Sequence, residues 1–258
     1  MRREAAASLV GALLTAGCAT GAPSTPAGPP AGVRWDYQLG GASEPGEGVG
    51  IVVRDRTAAP AADVYSVCYV NAFQTQPGGD GVPPDLLLRT PGGAPVEDPD
   101  WPGEFLLDVS ADGARDRVVE LVGGWVAVCA ADGFDAVELD NLDSWTRSAG
   151  LLARSDSEAV ARALTARAHE AGLAAAQKNA AELAGTDLGF DFAVAEECAA
   201  YGECGSFASA YDVVLAVEYA DGPFAAACAA GLDGVSVVRR DRDVRPPGEP
   251  GAVTRWCP

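Results

Sequence analysis

The chain has 258 residues, 48% of them hydrophobic, with 31 Gly and 18 Pro. This is enough apolar material for the core of one domain, or at most two, and excludes a disordered chain. Its 37 acidic residues against 18 basic ones give a formal net charge of −19, which repels nucleic acid and anionic lipid surfaces and favours a cationic or neutral partner. The basic residues are Arg throughout except for one Lys, Lys178.

At the N-terminus, Arg2 and Arg3 precede an apolar run from Ala5 to Leu14, too short to span a bilayer and suited to the apolar region of an export signal. It closes with Leu14-Thr15-Ala16-Gly17-Cys18, which resembles the lipobox of bacterial lipoproteins. The expectation is a signal peptide over 1–17, lipidation at Cys18, and a flexible Gly/Pro/Ser/Thr/Ala-rich tether over 18–32. The folded domain then occupies 33–258, outside the cytoplasm, lipid-anchored to the cell membrane or secreted. No run of 18 apolar residues follows, so the anchor is the one membrane attachment expected.

With Cys18 assigned to lipid, six cysteines remain in an exported chain, which predicts three disulfides. Cys198 and Cys204 flank a tight segment and pair naturally. Cys68 shares a strand face with Ser66 and Val70, turned toward the helix layer that would hold Cys129, which leaves Cys228 for Cys257. A zinc site is disfavoured, because there is no CxxC and the single His is His169. Neither metal nor cofactor is expected.

From Val33 onward, nine short apolar runs alternate with helical stretches: Val33 to Leu39, Val49 to Val53, Val64 to Val70, Phe105 to Leu107, Ala136 to Asp140, Leu173 to Lys178, Asp191 to Glu196, Val213 to Glu218 and Val235 to Val238. One helix is read over Ala111 to Ala131, with Val118, Val122, Val126 and Cys129 at helical spacing. A second opens at Ser155 and Glu158 in capping-box spacing and ends at Gly172. His169 falls on its solvent side and is given no role. The alternation predicts an α/β protein, a (β/α)8 TIM-type barrel, over an open doubly wound sheet, since no Gly-rich nucleotide turn follows any strand. Nine runs exceed eight, so one short run is an extra strand or no strand.

In such a barrel the reactive groups sit where strands end. Polar residues recur there: Asn71, Asp108, Glu138, Asp140 with Asn141 and Asp143, Lys178 with Asn179, Glu196 with Glu197, and Glu218 with Tyr219. Glu138 and Asp140 share a strand face opposite Val137 and Leu139, so both acids point toward the mouth. Serine and cysteine nucleophiles fall away with one surface His and six committed cysteines. Paired carboxylates in an exported acidic barrel point to glycoside hydrolysis. A Ca²⁺ site on Glu138, Asp140 and Asp143 is the weaker alternative.

The stretches Trp35-Asp36-Tyr37-Gln38-Leu39, Gly133 to Asp143 with its Glu138-Leu139-Asp140-Asn141-Leu142-Asp143, Gln177-Lys178-Asn179, Phe190 to Cys198 followed by Tyr201 and Cys204, and Val217-Glu218-Tyr219 together resemble glycoside hydrolase family 114. These are the endo-α-1,4-polygalactosaminidases, whose fold is a TIM-type barrel. The resemblance implies catalytic roles for Asp140 and for Glu196, two residues before Cys198. Substrate-binding roles are expected at the strand ends and in these stretches for Asp36, Asn71, Asp108, Glu138, Asn141, Asp143, Lys178, Asn179, Glu197, Glu218 and Tyr219. Strand alternation with the bulky face on the helices would instead turn Glu197 inward. Val70 to Pro77 departs from the Gly-Ser-Trp-containing loop of many relatives and leaves the exact glycan open. The implied partner is a cationic or neutral amino-sugar polysaccharide acted on by a monomer. A non-catalytic glycan-binding lipoprotein on the same barrel is the alternative.

Overall fold

The computed structural model describes residues 26–78 and 81–258; the expected signal peptide and Cys18 lie outside them. Eight parallel strands follow in chain order: β1 Arg34–Tyr37, β2 Val49–Asp55, β3 Tyr65–Asn71, β4 Ala136–Asp140, β5 Ala174–Lys178, β6 Phe192–Glu196, β7 Val214–Glu218 and β8 Val235–Arg240. A ninth, β9 Thr254–Trp256, pairs antiparallel with β8. Helices are α1 Asp112–Asp132, α2 Arg154–Glu170, α3 Cys198–Tyr201, α4 Cys204–Ala210 and α5 Asp221–Ala230. The strands run in sequence order around a nearly closed barrel, and the early connections β1 to β2 and β2 to β3 carry no helix. No helix among the described residues is long and apolar enough to cross a membrane.

Alternation along each strand separates two cores. Trp35, Tyr37, Val53, Tyr69, Phe192 and Val194 fill the barrel interior, while Cys68, Val70, Val137 and Leu139 pack outward against Val118, Val122 and Val126 of α1. On β6 the bulky residues therefore face inward and Ala193 and Ala195 meet the helices. The premise that bulk lies outside is corrected: the interior is a packed core needing branched and aromatic volume, and Glu196, in phase with Phe192 and Val194, points inward.

Two strand expectations change. Phe105 to Leu107 is not a barrel strand; it makes isolated antiparallel bridges from Leu106 to Gln74, Leu107 to Leu87 and Phe105 to Glu97, forming a wall beside the mouth. β9 lies outside the nine runs read from the sequence. It occupies the edge of β8 where a closing ladder to β1 would form, and side chains close the seam instead: Trp35 Nε1 donates to Ser236 O (2.9 Å), Trp256 Nε1 to Trp35 O (2.7 Å), and Arg240 Nη1 to the Tyr37 carbonyl. At the start of α2, the Ala153 N–H donates to Asp156 Oδ2 (2.8 Å), so only the acidic half of a capping box forms, two residues before the expected Ser155 and Glu158, and Glu158 pairs with Arg154 at 2.6 Å. His169 is not idle: its Nε2 lies 2.8 Å from Asp191 Oδ2, tying α2 to the approach of β6.

All three disulfides form as paired above: Cys68 to Cys129, Cys198 to Cys204, and Cys228 to Cys257. They join β3 to α1, brace the segment after β6, and fasten α5 to the end of β9.

Candidate active site

The inward-facing residues at the C-terminal ends of β1, β3, β4, β5 and β6 converge on Lys178. Its side chain is 2% exposed, and Nζ lies 3.2 Å from Glu138 Oε1, 3.4 Å from Asp140 Oδ1 and 3.3 Å from Glu196 Oε2. It also donates to Tyr37 Oη at 2.9 Å. Each carboxylate has its own tyrosine: Tyr37 OH donates to Glu138 Oε1 (2.8 Å), Tyr69 OH to Asp140 Oδ2 (2.6 Å), and Tyr219 OH to Glu196 Oε1. Burial opposes the Lys178 charge, yet Asp140, Glu196 and Glu138 together raise its pKa well above the ordinary value. Burial also lifts Glu138 to about 7, against the pull of Lys178. The three tyrosines are pushed well up, first by burial and then by the neighbouring acids, so they remain hydrogen-bond donors.

Asn141 fixes Asp140 from the next position along the chain, and Asn179, which follows Lys178, fixes Glu196 on the neighbouring strand. Asn141 and Asn179 take positive φ (62° and 49°), a conformation Asn tolerates better than most residues. The Asn141 backbone N–H donates to Asp140 Oδ1 (2.8 Å), and Asn179 both accepts from the Glu196 N–H (2.8 Å) and donates to Glu196 Oε2 (3.3 Å). The Asp-Asn and Lys-Asn pairs are thus turn devices that aim their neighbours.

The cleft above this floor encloses about 480 Å³. Arg147 holds its wall in place, with Nε on Asp98 (2.6 Å), Nη1 on Asp143 (2.8 Å) and Nη2 on Asn141 (2.9 Å). On that wall, Trp101 is 59% exposed and lines the cleft together with Glu104. Glu104 accepts from Gln74 Nε2 (2.7 Å) and Asn71 Nδ2 (3.3 Å), and burial pushes its pKa up. Gln76 donates to Asp55 Oδ2 at 2.8 Å, so the loop after β3 positions two rim acids. Seven acidic and three basic residues line the cleft.

Of the sequence-predicted residues, Asp140, Asn141, Asp143, Lys178, Asn179, Glu196 and Tyr219 line this cleft. The others do not. Asp36 is buried on Arg240 (2.6 Å) and Gln38 (2.9 Å) at the seam. Asn71 is buried and orients Asn141 through a 2.9 Å bond. Asp108 accepts from Ser110 in the turn before α1. Glu138 lies beneath the floor at 0% exposure. Glu197, at φ 54°, turns away to Arg242 (2.8 Å). Glu218 is out of phase with the interior residues Leu215 and Val217, accepts from the Ala199 N–H (2.8 Å), and has its pKa raised by burial. Tyr37, Tyr69, Trp101, Glu104 and Arg147 were not foreseen as site residues. The tyrosines read as ordinary core aromatics, although their inward strand phase was a usable signal.

Where the Ca²⁺ alternative would place a cation between Glu138 and Asp140, the Lys178 ammonium stands, and Asp143 is taken by Arg147. Cys198, Cys204 and Glu218 are close enough together to hold a metal, but the disulfide leaves no thiolate to bind one.

A family model described as Glycoside-hydrolase family GH114 matches residues 15–258. No curated protein matches the sequence. Among solved structures, the chain is similar to Aspergillus fumigatus Ega3 in complex with galactosamine, at 21% identity and TM-score 0.72, over 92% of this chain and 100% of that one. It is also similar to the glycoside hydrolase domain of PelA from Pseudomonas aeruginosa, at 15% identity and TM-score 0.56, over 86% and 99%. At these identities the likeness establishes the barrel fold.

Proposed function

From the premise that this chain belongs to glycoside hydrolase family GH114 and is a glycosidase, we propose that it cleaves galactosamine-containing α-1,4-linked polysaccharide within the chain, by a two-carboxylate mechanism on Asp140 and Glu196. The observation that carries this is the pair of cleft-floor carboxylates bridged by one buried lysine. Asp140, short and held by the Asn141 N–H, Tyr69 and Lys178, is the fixed nucleophile. Glu196, on a longer arm and with a side chain 29% exposed against 15% for Asp140, gives its proton to the leaving oxygen and takes one back from water. Because both near oxygens touch Nζ, they can be no farther apart than those two contacts laid end to end. That limit sits at the very bottom of the roughly 6.5–9.5 Å separation of inverting pairs and favours retention.

The acidic rim suits a polymer carrying free, protonated amines, and exposed Trp101 offers a ring face for a sugar to stack on. The galactosamine in the Ega3 complex supports the same substrate class. Three disulfides fit an oxidising compartment, in keeping with export and a lipid anchor on Cys18. The test is incubation with purified, partly deacetylated galactosaminogalactan. Oligosaccharides of mixed length with the α-anomer formed first are expected; an unchanged polymer discards the substrate, and β-anomer first discards retention.

A further inference from the structure

We propose that Glu138 is the charge-setting residue of this site: buried beneath the two reacting carboxylates and sharing their one lysine, it carries a proton of its own and so governs the ionisation of Asp140 and Glu196. The inference rests on the two-carboxylate reading above.

The geometry asks for such a proton. Glu138 is 0% exposed, and Lys178 is the cation it shares with Asp140 and Glu196. Three ionised acids around one ammonium would leave two excess negative charges, one of them wholly out of water, at a cost of several kcal/mol. The two Glu138 oxygens are also unequal. Oε1 receives Tyr37 OH and the Lys178 ammonium, whereas Oε2 is buried with no hydrogen-bond partner among the described residues. A neutral Oε2–H is far less costly there than a charged oxygen. The pKa of about 7 agrees.

The groups around Glu138 are Tyr37 from β1, Tyr69 from β3, Asp140 on its own strand, Lys178 from β5, Glu196 from β6 and Tyr219 after β7. The strands β2, β7 and β8 give the interior Val53, Val217 and Val238, and Arg240 is committed to Asp36. Among the described residues, Glu104 on the wall is a further acid coupled to Asp140, and wild type and variant carry it alike.

The sign follows. As pH rises and Glu138 ionises, its new negative charge makes Asp140 and Glu196 harder to ionise, which keeps the general acid protonated further into the alkaline range. Glu138→Gln removes that charge at every pH. The alkaline limb of the kcat/KM profile is expected to move toward acid by about one unit, while the acid limb, which falls where Glu138 still carries its proton, stays in place. Wild type and variant are compared on the same polymer, so titration of the substrate amines cancels. A lower kcat with both limbs in place would mean a packing role only and would overturn the proposal.

A second measurement needs no variant. In ¹³C-labelled wild-type protein, the Glu138 Cδ resonance, assigned through its own backbone, is expected to titrate near neutrality; titration in the ordinary carboxylate range overturns the inference even if Glu138→Gln fails to fold. If the wild type leaves the amino-sugar polymer intact, the substrate reading fails while this titration still decides the charge of Glu138.

Discussion

Lys178→Arg is expected to be nearly as damaging as Lys178→Ala, read as kcat on the amino-sugar polymer. A planar guanidinium cannot meet three carboxylates and a phenol from a site only 2% exposed. Lys178→Ala also leaves buried acids uncompensated and should cost about 3–5 kcal/mol of stability, measured by denaturant unfolding. Asp140→Asn and Glu196→Gln should each remove several orders of magnitude of turnover with the fold intact, while Glu197→Gln, whose carboxylate is held by Arg242, should be mild. Full activity in Lys178→Arg would reduce the lysine to a generic charge. The raised Glu138 pKa has a stability consequence of its own. An acid that keeps its proton better folded than unfolded loses stabilisation as pH rises from its ordinary value of 4.5 to about 7. Glu138→Gln should therefore gain on the wild type across that window, followed as the difference in melting temperature. Lys178 was legible in the sequence because a chain built on Arg retained one Lys at a strand end. In the structure it lies almost equally far from Asp140 and Glu196. Trp101 and Glu104 were invisible because an irregular wall has no periodicity to read.

Among the elements, the strands of the barrel could be read from their apolar runs and their inward phase, down to the Cys68 to Cys129 bridge. Two were not. Phe105 to Leu107 has strand composition but pairs only in isolated bridges, and β9, three residues with none buried, is too short to be read from its pattern. What holds β9 is covalent and aromatic: Cys257 bonds Cys228 on α5, and Trp256 reaches Trp35. Replacing Cys228 and Cys257 with Ser should cost about 3–4 kcal/mol by loop entropy, visible in denaturant unfolding. Its amide exchange should rise first along β8 and β1 rather than around the opposite side of the barrel. The wall beside the mouth depends on Arg147 in the same way. Arg147→Ala frees the segment carrying Asp98, Trp101 and Glu104, and should raise KM several-fold with a smaller effect on kcat. Equal losses in both would place Arg147 in the chemistry instead.

At the scale of the molecule, the net charge of −19 and the acid-rich cleft predict that kcat/KM on a partly deacetylated, cationic polymer falls as salt is raised through about 0.1 M, where the Debye length is about 10 Å. The same polymer after chemical N-acetylation should show a much flatter dependence; equal slopes would remove charge from the recognition. Fold class was legible here because a parallel barrel repeats one pattern many times, so single misread runs do not change the answer. The seam was not, because it joins Trp35 and Arg240 with Trp256 across nearly the whole chain, and no local pattern announces a contact of that separation.

That seam also imposes an order in time. A chain made from its N-terminus exposes β1 early, but β1 has no finished neighbour on its far side until residues 254–257 are present. The barrel's first strand must wait for its last, and in the interval the seam beside β1 lacks the Trp256 bond to Trp35. A nascent chain stalled before residue 254 should be readily cut by protease near β1, and the same chain released past Cys257 should resist.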